Sequence, residues 1–168
     1  IIYSAITALL AAWFYILGVI HVYQAFKPSK TLIKNIIFIC FAAITISYGV
    51  VHGAFVAIAT SSKLAIQNNL DLNESILLAS EANNILRLLV YPIFGLLSVL
   101  FIYQVWKKNT LYPRWIILFF PLIPFLIQEF ICKNLAGSIW IIVCGGYLNH
   151  ILIIFFTAST IALWNKKI

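Results

Sequence analysis

Charge is what this sequence has least of. Asp, Glu, Lys and Arg together make up 9% of its 168 residues, against 64% hydrophobic residues; a soluble domain carries roughly 25% charged residues. So few charges cannot wet the surface of a chain this long, and lipid must be the solvent for most of it. No lysine or carboxylate lies in the middle of a long apolar stretch. That argues against a proton-coupled relay and against a retinal Schiff base, since both need a buried ionisable group. No acidic residue can reach a mid-span histidine from its own stretch, so a Ser/His/Asp nucleophilic set is unsupported. Methionine is absent throughout, and the three cysteines, Cys40, Cys132 and Cys144, include no CxxC pair. Cys40 and Cys144 fall in apolar stretches and read as small core residues, while Cys132 reads as a free thiol near a span end. Alternation with period two is also missing, which excludes a membrane β-barrel.

What is present is a series of apolar runs. A crossing helix needs about 20 apolar residues for a hydrocarbon layer of roughly 30 Å. Five runs qualify: residues 1–26, 35–60, 85–106, 115–131 and 138–164. Backbone groups in lipid must bond within their own segment, so each run is expected as a helix. The gap over residues 61–84 is the longest. Asp71-x-x-Glu74 within it resembles a capping box, which predicts a short outer helix at the interface and then a bend near Asn83-Asn84 or Pro92.

The basic residues fall in alternate gaps. Lys27, Lys30, Lys34, Lys107, Lys108, Arg114, Lys166 and Lys167 give +8 on one side. Lys63, Arg87 and Lys133, with Asp71, Glu74, Glu81 and Glu129, give −1 on the other. The positive-inside rule places the first set in the cytoplasm. Trp106, Trp115 and Trp164 fall at the same ends, as an interfacial aromatic belt predicts; Trp140 falls at the opposite interface, and Trp13, mid-span, reads as packing material. The fold expected is therefore all-α: one polytopic transmembrane helix bundle over residues 1–168, with five visible membrane helices, N-out and C-in. A further membrane helix before Ile1 is expected to account for the outward start. The basic residues form no single face, so nucleic acid is not an expected partner. Anionic lipid headgroups of the surrounding bilayer are.

Two polar constellations interrupt the apolar runs. Gly49-Val-Val-His-Gly53 lies in the second run, where Thr45, Gly49, Gly53 and Ala57 repeat every four residues. Small residues at this spacing let helix backbones approach closely, and Tyr48 and His52 form the neighbouring stripe. The fifth run holds Gly145-Gly146-Tyr-Leu-Asn149-His150, polar at a depth where burial demands a partner. Arg87 and Glu129 fall at similar depth on other runs. The functional reading makes Tyr48, His52, Arg87, Glu129, Asn149 and His150 the lining of an outer-half site, with Gly49, Gly53, Gly145 and Gly146 as packing positions. The structural reading makes the same residues a hydrogen-bonded clasp between helices. Two facing histidines could also ligate a b-type haem, as could any such pair in a membrane bundle.

Tyr48-Gly-Val-Val-His52-Gly-Ala-Phe55, Thr110-Leu-Tyr-Pro113-Arg-Trp115 and Gly145-Gly-Tyr-Leu-Asn149 resemble segments of an uncharacterised family of bacterial multi-pass membrane proteins. The resemblance implies a multi-pass protein of the bacterial inner membrane with an additional N-terminal span; it implies no activity. The leading expectation is binding or transport of a small apolar or amphipathic ligand, without catalysis, cofactor or metal. The alternative is a structural or assembly subunit, partnered by another membrane protein or by further copies of itself. A haem carrier or membrane enzyme stands third.

Overall fold

The computed structural model describes residues 2–134, 137, 143, 144 and 146–166, leaving aside the side chains of residues 2, 4, 5 and 129. Every regular element among them is helical: α1 (Ile2–Ala25), α2 (Thr31–Gln67), α3 (Leu72–Trp106), a 3₁₀ turn (Arg114–Phe119), α4 (Leu122–Asn134) and α5 (Tyr147–Leu163). The first three are long and apolar enough to cross a membrane.

Local chemistry explains where the helices stop. Pro28 cannot continue α1, and the chain leaves through turn bonds from Phe26 N–H to the Tyr23 carbonyl and from Ser29 N–H to the Phe26 carbonyl. α2 closes with Asn69 at φ 52° and a bond from Leu70 N–H back to the Ala65 carbonyl at 2.9 Å, the long bond of a Schellman cap. Asp71 then opens α3, its carboxylate accepting from Glu74 N–H at 3.0 Å. That is the N-cap half of the expected capping box.

Two expectations are corrected here. No separate outer helix is formed, and the helix is not interrupted at Asn83-Asn84 or Pro92. α2 is continuous for 37 residues and α3 for 35, with Pro92 inside it. At 1.5 Å per residue they are about 55 and 52 Å long, well beyond the ~30 Å of hydrocarbon. The run 115–131 is not one helix either. Phe120 is extended, at φ −64° and ψ 137°, because the residue before a proline is pushed out of the helical region, and Pro121 follows it. Pro124 is tolerated in the first turn of α4, where its missing N–H would have had no partner. Of the run 138–164, the described helix is α5; residues 138–142, including Trp140, and Gly145 lie outside the described residues.

The chain divides into two compact units, Ile1–His21 with Asn35–Val99, and Val22–Lys34 with Leu100–Ile168. The second is densely packed. Phe101, fully buried, stacks on Phe120 at 4.3 Å and meets Phe26, Tyr112 and Phe155 at 5.4–5.7 Å. Its two basic turns are tied together: Leu111 N–H donates to the Ala25 carbonyl at 2.8 Å, and the Ser29 hydroxyl to the Asn109 carbonyl at 2.6 Å. In the first unit Val19, Ile37 and Leu97 are fully buried, and Trp13 is 58% exposed. It therefore does not serve as the packing material its mid-span place suggested.

Candidate functional site

α2 places Tyr48 and His52 one turn apart on one face, the spacing at which helical side chains meet. Tyr48 is buried, and its ring sits edge-on to Tyr15 of α1 at 6.0 Å. Its hydroxyl is 3.3 Å from His52 Nε2. The imidazole lies 4.3 Å from the Tyr48 ring and 5.9 Å from that of Phe55. His52 Nδ1 is buried and makes no hydrogen bond of acceptable geometry, although the Tyr48 carbonyl one turn back is near enough to act on it. Among the described residues two more buried atoms find no partner, His21 Nε2 and Asn83 Oδ1, and Asn83 is only 3% exposed. All three orphaned atoms belong to the first unit.

The second unit is the opposite case. The Tyr112 hydroxyl and the Ser159 Oγ, both buried, are 2.6 Å apart, and Asn109 Nδ2 donates to the buried Gln104 Oε1 at 3.0 Å. Burial pushes the Tyr112 phenol above the usual tyrosine range, and its bond with Ser159 draws it partly back. Buried polar groups are almost always paired.

The residues expected to share a site divide between the units. Tyr48, His52 and Arg87 fall in the first; Glu129, Asn149 and His150 fall in the second. Arg87 is exposed on α3, beside an open notch lined by Asn84, Ile85, Leu88 and Tyr91. Asn149 is half-buried and His150 exposed on α5, while the Glu129 side chain lies outside the described residues. At Gly49 and Gly53 an added Cβ would meet nothing within 4 Å among the described residues, so inside its own unit neither glycine rests against another backbone. Gly146 caps α5 at φ −97°. Among the described residues no group of three His, Cys, Asp or Glu is placed to hold a metal ion.

Measured along the axis of α2 from Lys34, His52 lies 18 residues on, about 27 Å. Sequence reasoning missed Tyr15, whose neighbour on α2 is 33 residues away, and Tyr112 with Ser159, 47 residues apart. It also misread two cysteines: Cys132 and Cys144 form a disulfide, with Cα atoms 5.8 Å apart, and only Cys40 is free. The apolar setting of Cys144 hid the pairing, although both cysteines flank one gap.

A family of unknown function (DUF6796) is matched over residues 1–166. No curated protein and no solved structure matches the chain.

Proposed function

We propose, for a chain that belongs to this family of unknown function and takes no activity from it, a multi-pass protein of a cell membrane that binds a small amphipathic ligand. The observation that carries this reading is the concentration of unpaired buried polar atoms, His21 Nε2, His52 Nδ1 and Asn83 Oδ1, in the first unit. When His52 Nε2 accepts from the Tyr48 hydroxyl, the proton sits on Nδ1, which then donates. A ligand carbonyl, hydroxyl or ether oxygen would satisfy it, while the aromatic faces of Tyr15, Tyr48 and Phe55 receive the apolar body. With the hydrocarbon taken to begin at Lys34, His52 would fall near its far boundary, which suits such a molecule, with its polar end at the interface.

Two independent features support an N-out, C-in orientation. One is the +8 against −1 partition of charge. The other is the disulfide at the end of α4, beside Lys133, because disulfides persist in oxidising compartments and are rare in the cytosol. The bacterial inner membrane fits both. Asn149, His150, Arg87 and Glu129 remain candidate lining residues contributed by other helices.

The test is small-molecule mass spectrometry on the purified full chain. The parent is expected to retain a co-purifying amphipathic compound that His52→Ala and Tyr48→Phe lose, with both variants still folded. If both variants keep the compound, or lose only stability, the residues form a clasp and the protein is a structural subunit.

A further inference from the structure

The two basic turns of the second unit are locked to each other. The 2.6 Å bond from Ser29 to the Asn109 carbonyl joins the residue before Lys30 to the residue after Lys108. Those two lysines therefore stand one position either side of a direct contact. Lys27, Lys30, Lys107, Lys108 and Arg114 are all exposed on these turns, and none has an ion-pair partner among the described residues. The unit's one acidic residue, Glu129, lies on α4, away from both turns in the sequence.

Neighbouring aromatics hold part of this charge in place. The Arg114 guanidinium lies 5.0 Å over the Trp106 ring and donates from Nε to the Trp106 carbonyl at 3.0 Å. The Lys107 ammonium lies 5.8 Å over Tyr103, and the Lys34 ammonium 4.3 Å over Tyr23. Stacked cations of this kind are preorganised rather than free to sweep through solvent.

Lys108 adds an independent sign. It occupies the left-handed position of the α3 C-cap, at φ 58°, where Asn109 N–H bonds the Gln104 carbonyl and Lys108 N–H the Val105 carbonyl. Glycine is the residue this position favours, since any Cβ is strained there. A lysine kept in a strained conformation is a reason to look for work done by its side chain.

We infer that these linked turns form a binding site for the phosphate of an anionic phospholipid headgroup, reached at once by Lys30 and Lys108 and flanked by Lys27, Lys107 and Arg114. Phosphate chemistry fits a cluster of exposed cations without carboxylates. A lipid fits better than a free anion, because Trp106 and Trp115 are exposed beside the cations and offer their rings to the interfacial zone. The inference rests on the membrane reading and is independent of any ligand at His52.

The experiment is native mass spectrometry of the full chain in detergent, with equimolar phosphatidylglycerol and phosphatidylcholine. Each lysine facing the headgroup is expected to contribute about fivefold, so the parent should retain the anionic lipid by tenfold or more. Lys30→Gln with Lys108→Gln should bring retention near parity, and Lys63→Gln, in the other unit, should leave it unchanged. Lys108→Gly relieves the strained cap, so it should unfold at a higher temperature than the parent yet lose part of the preference. Equal retention in the parent, an unchanged preference in the double variant, or displacement by millimolar inorganic phosphate would overturn the inference.

Discussion

The bond between Tyr112 and Ser159 lends itself to a decisive measurement. Both oxygens are buried, 2.6 Å apart, and Ser159 is 0% exposed. Tyr112→Phe keeps the ring, and so its contacts with Phe26 at 6.1 Å and Phe101 at 5.7 Å, but leaves the Ser159 hydroxyl without its partner. Ser159→Ala does the reverse to the phenol. Leaving one buried partner unsatisfied costs about 1–3 kcal/mol, whereas removing both can be nearly neutral. Each single variant is expected to destabilise by about 1–2 kcal/mol, and the double variant by no more than the worse single one. That amounts to a coupling energy of at least about 1 kcal/mol, in the range for residues in contact. Reversible unfolding in mixed micelles, followed by tryptophan fluorescence, gives all four corners of the cycle. Additive effects, with a coupling below about 0.3 kcal/mol, would refute the bond and with it the role of this pair in fixing the 107–113 turn against α5.

Three further outcomes are expected. In intact cells a membrane-impermeant maleimide should react with Asn73→Cys and not with Lys107→Cys; the reverse pattern would invert the topology. Denatured but unreduced protein should take up alkylating reagent at one thiol, Cys40, and at three after reduction, because Cys132 and Cys144 are joined; three before reduction would mean no disulfide forms. The phenol of Tyr112 is raised in the folded chain, so the unfolded chain releases this proton first. Its contribution to stability should hold below about pH 10, the ordinary tyrosine value, and decline as pH rises above it. In a pH series of unfolding curves, Tyr112→Phe should remove that part of the decline.

Much of what depends on local pattern was legible in the sequence, although the break that Pro121 imposes at Phe120 was not anticipated. Asp71 caps α3 because its carboxylate reaches an N–H three residues on, which is a sequence-local relation. Pro28 ends α1 for an equally local reason. The apolar runs marked helices but not their lengths. Hydropathy falls at Ser61, yet Ser-Ser-Lys-Leu-Ala-Ile-Gln over residues 61–67 contains nothing that breaks a helix, so α2 runs on to Gln67 without ending. Long-range pairs left no such trace. Tyr112 and Ser159 look unremarkable until the chain brings them together, and Cys144 sits in an apolar run that argued for burial rather than for pairing with Cys132. At the candidate site, the Tyr48–His52 stripe followed from spacing alone. The contribution of Tyr15, and the unmet polar atoms of His21 and Asn83, belong to packing.

The length of α2 has a mechanical meaning. A continuous helix of about 55 Å, held at its Thr31 end, behaves as a stiff rod. A change of about 5° in its tilt would carry Asn69 sideways by about 5 Å, nearly the height of one helical turn. Small angular adjustments at the Thr31 end would thus be geared up into large excursions of the 68–71 turn, with a gain set by the number of residues between them.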